Sequence, residues 1–187
     1  MKKLVKKLEF RRRREGLTDY SKRLALVKSG LYRVVIRKTN RRIIGQVIAY
    51  APNGDRVLAS ASSAELAKLG WPSRANRATA YLTGMLLANK FKNQDKDAIL
   101  DIGLSSNIKG SVPFAFAQGC VAGGMKLRGK FEMKESEYNL SNVANYAKLL
   151  SKEPEKLNKQ FGAYMKAGIK PEQLPELFKS VVQKIKA

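Results

Sequence analysis

The chain contains no histidine and a single cysteine in 187 residues. Without imidazole, the usual proton shuttle near neutral pH and the commonest metal ligand are missing. Serine–histidine and cysteine–histidine nucleophilic schemes are therefore excluded within the chain. A lone thiol, Cys120, permits neither an internal disulfide nor a thiolate zinc cage. Its neighbours Gly119, Val121 and Ala122 are small and apolar, which marks a packed free thiol suited to a reducing cytoplasm. Acids are scarce too: 15 Asp/Glu stand against 37 Lys/Arg, so a hydrolase would have few carboxylates to draw on. No apolar run approaches the ~20 residues needed to cross a bilayer. The charged head also lacks the apolar stretch and cleavage site of a secretory signal.

What is present is positive charge, unevenly placed. Residues 1–42 hold 16 Lys/Arg and three acids, a net +13 of the whole chain's +22, which leaves +9 for the other 145 residues. At its centre is the block Arg11, Arg12, Arg13 and Arg14. Regularly spaced phosphates are the natural partner, because each one neutralised releases condensed counterions. A solvated basic tail is the bland reading of such a run, but the charge continues into segments with folding patterns. Anionic lipid fits less well, since Leu4, Val5, Leu8 and Phe10 are the only apolar anchors and the charge is not confined to one face.

With 44% hydrophobic residues the chain can bury one core. Three segments are expected: a basic arm (residues 1–17), an α/β core (18–125) and a helical extension (126–187). The arm has no core of its own and orders on a partner. Thr18 reads as the cap of a short helix with Asp19 beside its positive end, Tyr20, Leu24 and Val27 as its stripe, and Gly30 as its stop. Residues 32–39 and 43–51 are β-branched runs joined by Asn40-Arg41-Arg42, a hairpin whose tip adds Arg37 and Lys38 to a second cationic site. Pro52-Asn53-Gly54-Asp55 signals a turn into a third antiparallel strand over 56–60. Ser73 is expected to cap a helix running to about Phe91, and residues 98–103 read as a buried parallel strand. A helix over 113–122 and three further helices over 141–150, 154–167 and 172–185 follow. The order β-β-β-α-β-α predicts a mixed sheet of three antiparallel strands plus a parallel one, with packed helices.

Asp101 is the one acid placed as a nuclease would place a metal ligand, on a central strand. Its candidate companions Asp55, Glu65, Asp95 and Asp97 lie in turns or solvated connections, so the expectation is that Asp101 pairs with basic or backbone groups. Gly119, Gly123 and Gly124 match no phosphate-loop spacing. Lys109-Gly110-Ser111, ahead of a helix start, suits a phosphate or a plain turn equally. Of the aromatics, Tyr20 is the best candidate to meet a base. The RNA-contact set is therefore Arg11 to Arg14, Thr18, Tyr20, Lys22, Arg23, Arg37, Lys38, Asn40, Arg41, Arg42, Lys109 and Ser111.

Several strings recur in a fixed order: T-D-Y at 18–20, K-S-G at 28–30, N-G-D at 53–55, L-A-S-A at 58–61 and G-W at 70–71. A-Y-L-T-G at 80–84, L-D-I-G-L at 100–104 and K-G-S at 109–111 continue the series. Their order and spacing resemble large-subunit ribosomal protein L-eighteen in its archaeal form, itself similar to eukaryotic L-five. The tail's P-E-Q-L-P-E-L-F pattern resembles the archaeal extension. The resemblance implies a cytoplasmic, non-enzymatic protein with a ribonuclease-H-like core and no cofactor or metal. It also implies binding to 5S rRNA, docking onto large-subunit rRNA, and contact with neighbouring proteins of the central protuberance, without a membrane. The family's RNA contact would fall here on Arg11 to Arg14, Thr18, Tyr20, Lys22 and Arg23. The sequence departs from the family pattern at Ser62 and at Leu127-Arg128-Gly129, where histidine-containing strings are usual. A ribonuclease-H-like nuclease and a general RNA chaperone are the competing readings.

Overall fold

Short turns between β-branched runs dictate the sheet. The computed structural model describes residues 8–72, 74–91, 96–151 and 153–186. Strand β1 (Tyr32–Lys38) turns through Asn40-Arg41 into antiparallel β2 (Ile43–Ala49), and β2 turns at Asn53-Gly54 into antiparallel β3 (Arg56–Ser62). Strand β4 (Ala98–Asp101) lies parallel to β1, with Val35 opposite Asp101. A fifth strand, β5 (Leu127–Arg128), pairs parallel with β4, giving the order β3-β2-β1-β4-β5. The mixed sheet is as expected, extended by this one strand.

One face of the sheet is apolar and carries α3 (Arg77–Lys90) and α4 (Val112–Ala122). Val34, Ile36, Ile43, Val47, Ala61 and Ala98 pack there against Leu87, Ala88, Phe116 and Cys120. Gly45 makes room for the Phe116 ring, since a Cβ there would lie 2.4 Å from Cζ. Helix α3 is buried on nearly every side, including Thr79, Thr83 and Gly84, so its sequence shows no single apolar stripe. Its cap is Asn76, which accepts from Thr79 N at 2.9 Å. The cap expected at Ser73 lies outside the described residues. Ser62 and Glu65 form a capping box on the 3₁₀ helix Ser63–Leu69.

The tail is built onto this body. After α5 (Glu135–Tyr138), α6 (Ser141–Leu150) and α7 (Pro154–Lys166) share a cluster of Ala147, Leu150, Phe161 and Tyr164 with Leu174. Helix α8 (Leu174–Lys186) sets Phe178, Val181 and Ile185 against Trp71, Tyr81, Leu82 and Met85. Each of those three side chains contributes about 1.5–3 kcal/mol on burial. Asn89 also donates to the Ile185 carbonyl, and the Arg74 guanidinium lies 4.9 Å above the Tyr164 ring.

Candidate nucleic-acid interface

The second face of the sheet carries charge. Arg33 and Arg37 share a face of β1 with Val35, because side chains of a strand alternate, and Asp101 of β4 lies beside them. Arg33 is only 3% exposed. Its guanidinium donates to Asp55 Oδ2, and through Nη1 to Asp101 Oδ2 at 3.4 Å. Asp55 also accepts from Arg23 Nη2 at 2.9 Å. Asp101 Oδ1 accepts from Gly103 N at 2.9 Å and lies 3.6 Å from Arg37 Nη2. Three arginines and two aspartates thus form one chain, Arg23–Asp55–Arg33–Asp101–Arg37. Asp101 pairs with basic and backbone groups, and Asp55, placed by sequence in a solvated turn, is its counterpart across Arg33.

The basic arm and the first helix stand over this network. Residues Arg11–Arg14 form a single helical turn, α1, fully exposed. Arg11 pairs with Glu15 at 2.8 Å and Arg13 with Glu9 at 3.4 Å, both in solvent. Arg12 Nε donates to Thr18 Oγ1 at 2.9 Å. Thr18 is therefore not the helix cap. Asp19 is, accepting from Ser21 N at 3.0 Å and Lys22 N at 3.1 Å. The Lys22 amide, aided by the Lys22 charge and the Ser21 amide, outweighs the small cost of desolvation and holds the Asp19 carboxyl below its ordinary range. Helix α2 (Tyr20–Lys28) then runs with none of its residues buried. The stripe expected over Tyr20, Leu24 and Val27 does not enter the core: Leu24 is exposed, and Tyr20 pairs instead with Phe10, ring centroids 5.5 Å apart.

Between this segment and the sheet lies a cleft of about 510 Å³. Arg12, Thr18, Lys22 and Arg23 line one wall. The ends of β1 and β4 line the other with Arg37, Lys38, Asp101 and Gly103, and Ser105 follows. The fold so brings together six of the residues that the sequence offered for RNA contact. The hairpin tip Asn40, Arg41 and Arg42 continues the basic surface beyond Lys38, closed by Thr39 N donating to the Arg42 carbonyl at 2.8 Å. All three residues are exposed. Arg11, Arg13, Arg14 and Tyr20 lie on the arm and α2 outside the cleft lining, and so do Lys109 and Ser111. Ser111 stands at the amino end of α4 without capping it, and its Oγ has no partner among the described residues. Sequence reading did not anticipate the structural roles of Arg33, Asp55 and Gly103. The period of two along β1, with Arg33 and Arg37 flanking Val35, was the available signal for Arg33.

Known proteins sort this arrangement. The family model described as ribosomal large subunit proteins 60S L5 and 50S L18 matches residues 5–98. Large ribosomal subunit protein uL18 of Methanococcus maripaludis is 41% identical over 183 residues, which span 96% of this chain and 95% of that protein. The chain belongs to this family. Membership makes it a ribosomal protein of the large subunit, located on the cytoplasmic ribosome, in a family of ribosomal constituents rather than enzymes. No helix among the described residues is long and apolar enough to cross a membrane. The family match covers the arm, α2, β1 to β3, α3 and the start of β4, and so both walls of most of the cleft.

Proposed function

We propose that this family member binds 5S rRNA and helps attach it to large-subunit rRNA in the central protuberance. One observation carries the reading: the arm, α2 and the ends of two strands bring Arg12, Lys22, Arg23, Arg37 and Lys38 around one cleft, with the exposed Arg41 and Arg42 alongside. Phosphate contacts from such a surface supply affinity, and the fixed geometry of the folded walls supplies selectivity for a shaped RNA. Arg11 to Arg14 form the grip of the arm, Thr18 orients Arg12, and Tyr20 offers a ring. Lys109 and Ser111 extend the contact set past β4, and the helical extension faces neighbouring proteins.

Filter-binding competition between 5S rRNA and an unrelated RNA of equal length, at two salt concentrations, tests this. The 5S rRNA should win at both, by a larger margin at the higher salt, where non-specific binding weakens most. Equal competition would instead make the protein a general RNA chaperone. Incubation of RNA with Mg²⁺ or Mn²⁺ tests the nuclease reading. Cleavage lost in Asp101→Asn would establish it, whereas Asp101 held by Arg33, Arg37 and Gly103 N argues that no cleavage occurs.

A further inference from the structure

The cleft differs from a plain cationic groove in what lines its interior. Leu17 of the arm, Leu26 of α2 and Leu104 of the loop after β4 give it apolar walls. Leu17 and Leu104 are 53% and 59% exposed, an unusual cost for leucines in so charged a region. The cleft opens at the carboxyl ends of the two parallel strands β1 and β4, the place where open α/β sheets receive ligands. Its volume of about 510 Å³ falls in the range of small-molecule sites, roughly 300–1,000 Å³.

Arg37 is fixed in a way that suits stacking. Its Nη1 donates to the Ile36 carbonyl at 2.8 Å and the Asp101 carbonyl at 3.3 Å, while Nη2 faces Asp101 Oδ1 at 3.6 Å. The donors on its edge are thus engaged in the plane of the guanidinium. A Cβ at Gly103 would lie 3.0, 3.1 and 3.5 Å from Nη1, Cζ and Nη2, so this glycine backs one face of the group. The side chain remains 51% exposed along the cleft. A pinned guanidinium plane with one face backed by the chain is a stacking platform for a flat aromatic ring. Beneath it the buried Arg33 Nε has no hydrogen-bond partner among the described residues. At the rim, Arg12 and Lys22 supply the positive charge for a phosphate.

An occupant that joins a flat apolar ring to an anion is a nucleotide. We propose that the cleft between α2 and the ends of β1 and β4 takes one unpaired nucleotide of the bound RNA. Its base stacks on the Arg37 guanidinium between Leu26 and Leu104, and its phosphate meets Arg12 and Lys22. An acidic peptide satisfies the rim but has no group for the Arg37 plane and the leucine walls. This inference rests on the RNA-binding reading and adds a base-sized pocket to the phosphate grip.

The test uses the full chain with labelled Ile and Leu methyls, titrated with each of the four nucleoside monophosphates at millimolar concentration. Methyl resonances of Leu26, Ile102 and Leu104 should shift, and those of Ile185, buried against α3, should not. Two variants follow the same pocket in RNA. Ala25→Trp fills the cleft, and Arg37→Lys keeps the charge while removing the plane. Each should weaken 5S rRNA binding about tenfold, the scale of one lost base stack, with the salt dependence unchanged because no phosphate contact is lost. Silent methyls with all four nucleotides would overturn the pocket, as would shifts seen only with a poly-glutamate peptide. Unchanged RNA affinity in both variants would overturn it too. Silent methyls with intact preference for 5S rRNA remove the pocket and leave the function standing. Shifted methyls without that preference keep the pocket and remove the 5S rRNA reading.

Discussion

Arg23 of α2 and Asp55 of the β2–β3 turn meet across 32 residues of sequence, Arg23 Nη2 donating to Asp55 Oδ2 at 2.9 Å. The same carboxylate holds the buried Arg33, so one aspartate ties an otherwise unburied helix to the sheet. Arg23 is a positive residue in the RNA-contact set whose charge is already matched inside the protein. Arg23→Ala should therefore weaken RNA binding by loosening α2, while the log–log salt slope falls by less than the roughly 0.9 expected for one lost phosphate contact. A loss of a full unit or more would place Arg23 on phosphate and not on Asp55.

Asp55→Ala attacks the network from the other end. It leaves Arg33, whose side chain is 4% exposed, with Asp101 as its remaining carboxylate. Removing one partner of a buried pair costs about 3–5 kcal/mol. Asp55 is itself partly open to solvent, so the lower end, about 3 kcal/mol, is expected from urea denaturation. A cost below about 1 kcal/mol, the level of an exposed pair, would show that Asp101 alone satisfies Arg33.

The arginine block makes a different prediction. Arg11 and Arg13 have exposed acidic partners within one turn, and such pairs are worth only about 0.3–0.5 kcal/mol. They yield readily to phosphate. Replacing Arg11 to Arg14 with alanine should lower the salt slope for 5S rRNA by roughly two to three units if about three of them reach phosphate. The fold should be untouched, since none of the four is buried. A slope equal to that of the unaltered protein would sink the assignment of the arm as the phosphate grip.

How far the sequence could be read depended on whether a feature was local. β1 to β4 follow from β-branched runs between turn residues, and the structure places them within a residue or two of expectation. β5 did not, because Leu127-Arg128 lies in a charged stretch and becomes a strand only by pairing with Ala98 and Ile99. Thr18 and Asp19 are both competent caps. The choice of Asp19 is made by Arg12, which occupies the Thr18 hydroxyl. At the site, charge announced the residue types. Their meeting was not legible, since Arg12 and Arg37 share a cleft only through the turn into α2 and the path of β1. Nor does an arginine's identity reveal that it is buried, as Arg33 is.

The tail-to-core contact has a pH signature. Tyr81 on α3 stacks on Tyr138 with ring centroids 4.4 Å apart, and Phe178 of α8 completes the cluster. Burial, then the neighbouring Tyr138, push the Tyr81 hydroxyl up to about 12. A group whose pKa is raised on folding stabilises the protein fully below its unfolded value, near 10, and loses that contribution as pH rises to the folded value. Stability should therefore fall between about pH 10 and 12, by about 2–3 kcal/mol from Tyr81. Tyr138, also raised by burial, adds to the fall. Urea titrations across this range, with tyrosinate absorbance followed in parallel, check it. Tyr81→Phe should flatten the alkaline decline, and an unchanged decline would place its origin elsewhere.

Glycines give the sharpest contrast between two positions of the same type. Gly84 on α3 and Gly119 on α4 let the two helices touch through their backbones. A Cβ at Gly84 would lie 2.2 Å from the Phe116 carbonyl oxygen, and one at Gly119 would lie 2.0 Å from that of Tyr81. Neither oxygen can move without shifting its helix. Gly84→Ala or Gly119→Ala should therefore cost about 3 kcal/mol, the upper end of the overpacking range. Gly162 in the middle of α7 has nothing within 4 Å of the same position and sits in a helical conformation. There alanine only restricts the unfolded chain and favours the helix, so Gly162→Ala should stabilise by about 0.5–1 kcal/mol. Thermal melts of the three variants read both signs at once. If Gly84→Ala and Gly162→Ala shifted the melting temperature in the same direction, the close approach of α3 to α4 would not be what these glycines serve.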